Sequence, residues 1–280
     1  MNETLKRSLS GFVYVLLLIA SILFSTESFF GLFGIFLLIA VVEFCNLIQL
    51  NKIIPILIAS TIYLLFYAVV ILKEGLFYTL YLSQTDDLFV LFFTLFVSIK
   101  CLIFLFDNKK TKIHSVSKYF YLIGYIILPF IIITKIPFGE KGYNPKIIIS
   151  IFILIWINDT FAYIVGKSIG KHKLFERISP KKTIEGFLGG VFFAVIASFI
   201  IAKYYIEVKE VNTYIWIIIA LIVGVFGTIG DLIQSKFKRI AGVKDSGKIM
   251  PGHGGILDRL DSVIFVAPII YLFYQILNFI

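Results

Sequence analysis

The residues best suited to chemistry lie in one polar stretch near the C-terminus of a mostly apolar chain. Asp231 and Asp258 flank a segment that carries five Lys and Arg side chains. Carboxylate oxygens hold hard cations such as Mg²⁺, while Lys and Arg neutralise phosphate oxygens. The glycines at 252, 254 and 255 carry no Cβ, so their backbone amides can approach an anion closely. This combination predicts a site for a polyphosphate and its divalent metal.

The composition predicts an integral membrane protein around this stretch. The chain has 280 residues, of which 59% are hydrophobic and 15% are charged. An apolar run of about 20 residues spans a bilayer as a helix. Such runs cover residues 11–24, 29–49, 53–72, 88–106, 119–134, 147–170, 186–204, 214–233 and 263–279. These runs lack the alternation of apolar and polar residues that is typical of a membrane β-barrel. We therefore predict an all-α polytopic membrane protein with about nine transmembrane helices.

The basic residues predict the orientation of these helices. The N-terminus and the loops after even-numbered helices contain 19 Lys and Arg, when Lys167 is counted with the loop that it adjoins. The loops after odd-numbered helices contain six, when Lys203 is counted in the same way. By the positive-inside rule, the N-terminus and even loops are cytoplasmic. The cations follow membrane topology, so the net charge of +9 does not indicate a nucleic-acid partner. The cytoplasmic loops 167–185 and 234–258 are the richest in cations.

The chemistry is concentrated in the second half of the chain. We expect residues 1–140 to form an N-terminal scaffold of about five helices, and residues 141–280 to form a catalytic region of about four. Residues 76–82 are too few to cross a bilayer and are expected at the outer interface or as an extension of the third helix. Glu43 and Lys100 are ionisable groups at membrane depth. We expect an ion pair between them, with a substrate contact as the alternative.

The sixth predicted helix and the loop after it carry a second set of polar residues. Asp159 lies in an apolar helix, so its carboxylate is expected to face a cavity, a cation or a metal. Gly166 and Gly170 favour close helix packing over a ligand contact. Ser179 is a plausible N-cap, and the helix N-terminus beside Lys181 and Lys182 is a candidate anion site.

The aspartates of the C-terminal stretch are interpreted by their positions on helices. Asp231 is expected in the last turn of the eighth helix, where its charge opposes the helix dipole and favours a bound cation. Asp258 and Asp261 are three residues apart at the start of the ninth helix. For Asp258, a role as a metal ligand is preferred over a role as a helix cap. For Asp261, helix capping and support of the metal site stay equally open.

The same stretch resembles a known family signature. It reads Ser235-Lys236-Phe237-Lys238-Arg239, then Lys244-Asp245, then Pro251 to Asp261 without interruption. In residue types and spacing this order is similar to that of the phosphatidate cytidylyltransferase family (CDP-diacylglycerol synthases). The segment around Ser179-Pro180-Lys181-Lys182 resembles an upstream block of the same family. Met250 and Ile184 depart from the family pattern, which usually has another apolar residue and Trp at these positions.

The resemblance implies Mg²⁺-dependent transfer of a cytidylyl group from CTP to phosphatidate in the bilayer, with release of pyrophosphate. It also implies an active site on the cytoplasmic face of the cell inner membrane, and it suggests a homodimer. The implied metal ligands are Asp231 and Asp258. The catalytic candidates are Lys238, Arg239, Lys244, Asp245, His253 and Arg259, and the substrate-binding candidates are Asp159, Ser179, Lys181, Lys182, Ser235 and Asp261.

Two other functions remain as alternatives at this stage. A CTP-dependent kinase of a polyprenol or phytol also joins a membrane lipid to CTP, but it needs a base near the metal to deprotonate an alcohol. An anion transporter would place polar groups and broken helices near the bilayer midplane, whereas these charges are concentrated at one face. For His253 the sequence leaves open phosphate donation, acid–base chemistry and loop organisation.

Overall fold

The computed structural model describes residues 3–72, 84–107, 113–139, 142–206 and 210–279. Nine helices in these ranges are long and apolar enough to cross a membrane. They are α1 (Glu3–Phe24), α2 (Thr26–Ile48), α3 (Ile53–Leu72), α4 (Gln84–Phe106), α5 (Ser115–Lys135), α6 (Pro145–Ile169), α7 (Ile184–Ile206), α8 (Glu210–Ile240) and α9 (Leu257–Phe279). The predicted all-α fold and its number of spans are confirmed. The prediction for residues 76–82 lies outside the described ranges.

Two of the helices contain a π-helical segment. In α5 this segment is Leu122–Ile127, and in α7 it is the last stretch, Ile201–Ile206. Pro129 follows the first of them and lacks a backbone N–H, so it cannot make the usual intrahelical hydrogen bond. Pro145 instead occupies the first turn of α6, where its missing donor costs nothing, and the Asn144 side chain caps that helix by accepting from the Lys146 amide.

The predicted end of the eighth helix at residue 233 is wrong. α8 continues to Ile240, so Ser235 is helical and Lys238 and Arg239 lie in the last turn. Cations are favourable at that end of a helix. Asp231 therefore lies about two and a half turns before the end of α8. The argument from an unfavourable dipole does not apply to it.

The predicted N-cap at Ser179 is also wrong. Ser179–Thr183 forms a strand, β4, which pairs antiparallel with β3, Lys173–Phe175. The N-cap of α7 is Thr183, whose hydroxyl accepts from the Gly186 amide at 3.1 Å. The loop after α6 is thus largely a β-hairpin that leads directly into the next helix.

The chain divides into two compact units. The first comprises Met1–Lys135 with Ile240–Leu260. Its core is dominated by aromatic rings of α2 and α3; for example, the rings of Phe29 and Phe33 lie 4.7 Å apart, and the Tyr63 hydroxyl donates to the Phe30 carbonyl at 2.7 Å. Large rings bury much apolar area each and fix the packing of these helices.

The second unit comprises Ile136–Arg239 with Asp261–Ile280. It contains a short hairpin of β1 (Phe138–Gly139) and β2 (Gly142–Tyr143), followed by α6 and the β3–β4 hairpin. α6 and α7 approach closely through glycines: a Cβ at Gly186 would lie 2.6 Å from the Ala162 carbonyl oxygen, and one at Gly166 would lie 2.9 Å from the Thr183 hydroxyl. The close-packing interpretation of Gly166 is therefore confirmed.

Candidate functional site

The predicted site residues fall into both compact units. In the second unit are Asp159, Ser179, Lys181, Lys182, Asp231, Ser235, Lys238, Arg239 and Asp261. In the first unit are Lys244, Asp245, His253, Asp258 and Arg259. Each group is described in its own unit below, and the pairing of Asp231 with Asp258 on one metal stays a prediction.

The β3–β4 hairpin of the second unit meets α8 at an ion pair. The Lys182 Nζ atom lies 2.6 Å from the Asp231 Oδ2 atom, and the two side chains are 27% and 34% exposed. The other Asp231 oxygen accepts a hydrogen bond from the Ser235 hydroxyl, one helical turn later, at 3.2 Å. Lys182 and Asp231, which are nearly fifty residues apart in the sequence, are thus brought into contact. The prediction that these two residues share a site requires such proximity.

Contacts made by Thr183, Ile184 and Glu185 hold the hairpin at the start of α7. The carboxylate of Glu185 accepts hydrogen bonds from the amides of Lys171 and His172 and contacts the His172 Nδ1 atom at 2.6 Å. The Ile184 amide donates to the His172 carbonyl, and Thr183 caps the helix. This anchoring fixes the strand from which Lys182 projects.

More charge surrounds Asp231 within the same unit. The Lys238 side chain is 8% exposed and interacts electrostatically with both Asp231 and Asp261. Asp261 is also 8% exposed and experiences the negative charges of Asp231 and Asp159. Its Oδ1 atom accepts from the Ser262 amide at 2.8 Å. Three carboxylates and two lysines therefore influence one another in this region.

The other candidates of the second unit are Arg239, Ser179 and Lys181, and the third carboxylate of the cluster, Asp159, lies in α6. The Arg239 Nε atom donates to the Ile178 carbonyl at 3.4 Å, which links the end of α8 to the hairpin. Ser179 is half-buried and Lys181 is exposed. Asp159 is exposed too, and its carboxylate accepts from the Asn158 amide group at 3.3 Å. These positions leave Lys181 and Asp159 accessible.

In the first unit, Asp258 organises the loop before α9. A single carboxylate oxygen, Oδ2, accepts from the amides of Ser246 at 2.8 Å and Gly255 at 2.9 Å. Asp258 belongs to the first turn of α9 and therefore has the capping contacts that the sequence offered as an alternative to metal binding. Capping through Oδ2 and ligation through the other oxygen are compatible, so the metal role is not tested by these contacts.

The amides of residues 253 to 257 in the glycine-rich loop donate to acceptors within the protein. His253 and Gly254 donate to the Met250 carbonyl, Gly255 donates to Asp258, and the amides of residues 256 and 257 donate to a carboxylate of α2. The expectation that glycines at 254 and 255 expose amides to phosphate is therefore wrong for this structure. Gly252 and Gly254 instead adopt φ values of +76° and +88°, which glycine reaches without strain.

The carboxylate of α2 is Glu43, and it is not paired with Lys100 as expected. Its oxygens accept from the Ser246 hydroxyl and from the amides of Ile256 and Leu257. Lys100 is exposed, with its Nζ atom 5.5 Å from the centroid of the Phe96 ring. The polar loop, rather than a lysine of a neighbouring span, explains a carboxylate in this helix.

His253 lies between α1 and the start of α9. Its Nδ1 atom is 2.7 Å from the Ser10 hydroxyl, and its carbonyl accepts from the Arg259 guanidinium at 2.7 Å. Burial lowers the pKa of His253, and the positive charges of Arg259 and Arg7 lower it further. These contacts match the loop-organising role among the three that the sequence left open. Lys244 and Asp245 are exposed in the same loop.

Several residues that hold the site were not identified as such from the sequence. Ser10 and Ser246 have partners more than two hundred residues away along the chain. Glu185 has its partners 13 and 14 residues away, across the hairpin. Glu43 did have a detectable signal, because an ionisable residue in an apolar helix requires a partner. The sequence did not identify that partner.

The donor chemistry of the site residues suits a hard divalent cation, since the acidic candidates all offer carboxylate oxygens. Within the described ranges, no group of three or more His, Cys, Asp and Glu side chains is arranged to hold a metal. A cation bound by these residues would therefore take most of its ligands from water and phosphate oxygens. That is the usual coordination of Mg²⁺ at nucleotide sites, so the residues fit this ion.

The nine apolar helices in the described part of the chain define a polytopic helical membrane protein. The profile of the cytidylyltransferase family matches residues 5–277, and the chain belongs to this family. The resemblance found in the sequence is thus confirmed.

Named relatives include the phosphatidate cytidylyltransferase of Staphylococcus aureus (strain COL), which is 51% identical over 123 residues, 44% of this chain and 46% of the relative. The protein of the same name from Staphylococcus haemolyticus is 48% identical over the same length. That from Staphylococcus epidermidis is 42% identical over 133 residues, 48% of this chain and 50% of the relative. The aligned region spans about half the length of these relatives.

Proposed function

We propose that the protein transfers a cytidylyl group from CTP to phosphatidate. A phosphate oxygen of the lipid attacks the α-phosphorus of CTP and forms a new P–O bond. The bond between the α-phosphorus and the oxygen bridging to the β-phosphorus breaks, and its electron pair leaves with pyrophosphate. The products are CDP-diacylglycerol and pyrophosphate. Phosphatidate is already anionic near neutral pH, so the step does not depend on a strong general base.

The carrying observation is the cluster in which Lys182 and Lys238 surround Asp231. Two anionic substrates must approach each other, so the dominant barrier is electrostatic repulsion together with charge on the leaving pyrophosphate. Fixed cations close to a carboxylate suit that task. The names of the relatives and the signature from Ser235 to Asp261 support the same reaction.

We assign Mg²⁺ as the cofactor and Asp231 and Asp258 as the residues that hold it. When bound, the ion would neutralise phosphate oxygens and the developing charge on pyrophosphate. With Asp231 holding the metal, Lys182 would be available to bind phosphate. Lys238, Arg239, Lys244 and Lys181 would complete the set of cations, and Ser179 would contact the substrate.

The proposal includes the arrangement in the membrane. The excess of Lys and Arg supports an N-terminus and an active site on the cytoplasmic side of the plasma membrane. Phosphatidate would enter sideways from the bilayer, with its phosphate at the cytoplasmic boundary and its acyl chains in lipid. Membrane depth would thereby contribute to alignment of the reacting groups. A homodimer is the proposed assembly.

The test uses the purified full-length protein in mixed micelles with phosphatidate. With CTP labelled at the α-phosphate, we expect label on the lipid, one pyrophosphate released per lipid labelled, and loss of turnover on chelation of Mg²⁺. Transfer of label only from γ-labelled CTP to a polyprenol or phytol would identify a kinase instead. Nucleotide uptake into proteoliposomes without lipid turnover would identify a transporter.

A further inference from the structure

Glu43 is a buried carboxylate that binds a loop of candidate site residues. The side chain lies in α2 and the residue is 3% exposed. Its Oε1 atom accepts from the Ile256 amide at 3.1 Å, and its Oε2 atom accepts from the Leu257 amide at 2.8 Å and the Ser246 hydroxyl at 3.0 Å. All three partners donate, which is the pattern that a carboxylate satisfies.

Ser246 connects this carboxylate to Asp258. The serine hydroxyl donates to Glu43, while the amide of the same residue donates to the Asp258 Oδ2 atom at 2.8 Å. The Gly255 amide donates to that same oxygen, and the next two amides along the chain donate to Glu43. Both ends of the loop are therefore held by the two carboxylates together.

The loop is also shaped to admit the Glu43 side chain. A Cβ at Gly255 would collide with both carboxylate oxygens and with the Ser246 hydroxyl, and a Cβ at Gly247 would collide with the same carboxylate. Any side chain at these positions would displace Glu43 or the loop. Two glycines thus provide room for the close approach of this carboxylate.

We propose that Glu43 is a positioning residue for the site, which orients Asp258 through Ser246 and the first turn of α9. This inference rests on the proposed function only in taking Asp258 as a metal ligand. A carboxylate in a membrane-spanning helix is costly, and an apolar residue there would serve packing alone. Three donors that all belong to one loop account for the carboxylate.

Hydrogen exchange tests the positioning without substrate or metal. Glu43→Gln keeps the size of the side chain but replaces one acceptor oxygen by a donor, so at least one loop amide loses its partner. Since such bonds to charged groups are strong, we expect residues 246–257 to exchange about tenfold faster or more, measured by mass spectrometry on the full chain in detergent.

The matched control is Ser98→Ala, which removes another buried polar group of the same unit. Among the residues that the structure describes, the Ser98 hydroxyl donates within its own helix, to the Thr94 carbonyl at 3.0 Å. We expect this variant to leave exchange of residues 246–257 at the wild-type rate. Equal exchange in Glu43→Gln and wild type, or equal acceleration in the control, would overturn the proposal.

A second readout measures the effect on the metal site. At saturating CTP, Glu43→Gln should raise the Mg²⁺ concentration for half-maximal activity about tenfold, and Ser246→Ala should raise it less. The double variant should be no worse than Glu43→Gln alone, because both act through one connection. Additive effects would overturn the connection.

The two readouts separate the possible failures. If the wild type labels no lipid from CTP, the proposed function fails, while the exchange measurement still decides whether Glu43 holds the loop. If Glu43→Gln does not fold, Ser246→Ala serves as the test instead, because this variant retains the Glu43 carboxylate and removes one of its three hydrogen-bond donors. Its loop should then exchange faster than wild type, and wild-type exchange would count against the proposal.

Discussion

Lys182 of β4 and Asp231 of α8 form an ion pair with 2.6 Å between Nζ and Oδ2. This contact ties the hairpin after α6 to the interior of α8, and it places a cation and a carboxylate at one point of the second unit. Both side chains retain partial exposure, so a ligand can reach them.

Asp231→Asn should lower turnover by orders of magnitude. Asparagine keeps the shape and the Ser235 contact but loses the charge that a divalent ion requires. The measurement is transfer of α-labelled cytidylyl to lipid, with folding checked by thermal unfolding in detergent. Wild-type turnover in this variant would remove Asp231 from the metal site.

Lys182→Met should raise the KM for CTP and lower kcat, because one phosphate-neutralising charge is lost beside Asp231. We expect a loss of about tenfold or more in kcat/KM. Lys173→Met is the control, since Lys173 is exposed on the partner strand of the same hairpin. Equal losses in both variants would indicate a general charge effect rather than a specific contact.

Asp258→Asn should also lower turnover by orders of magnitude while preserving the loop. The asparagine carbonyl oxygen can accept from the Ser246 and Gly255 amides as Oδ2 does. The expected result is therefore low activity with wild-type hydrogen exchange of residues 246–257. Full activity would restrict Asp258 to its capping role.

Lowering the pH should destabilise the protein through His253. Burial and the nearby Arg259 and Arg7 lower its pKa, so the folded state binds this proton less well than the unfolded state. The stabilising contribution is present above about pH 6.5, the ordinary value for histidine, and is lost as the pH falls through and below it. Thermal unfolding between pH 8 and 5 measures the effect.

His253→Asn is the comparison for this pH dependence. It removes the titrating ring, so its melting temperature should fall less between pH 8 and 5 than that of the wild type. Parallel pH profiles of the two proteins would show that another group dominates acid destabilisation.

The helices and their number follow directly from the sequence, because an apolar run of about 20 residues has only one way to satisfy its backbone in lipid. The end of α8 was missed because hydropathy identifies only the apolar part of a helix. Hydropathy falls at Asp231, but the helix continues to Ile240, since Ser, Lys and Arg are compatible with a helix that leaves the bilayer.

The hairpin after α6 was missed because its strands are short and polar. Ser179-Pro180 has the composition of a helix start, and only pairing with Lys173–Phe175 shows that it is a strand. The structure brings three of the motif residues, Lys182, Ser235 and Asp231, into contact. The roles of the motif residues in a site stay predictions.

The sequence by itself determined a helical membrane protein of nine spans and the family to which it belongs, because hydropathy and motif spacing are local properties of the chain. The tertiary structure decided the partners: Glu43 bonds to the loop before α9 rather than to Lys100, and the glycine-rich loop donates its amides to internal carboxylates. Hydrogen bonds between residues more than two hundred positions apart depend on how the helices pack, which no local pattern specifies.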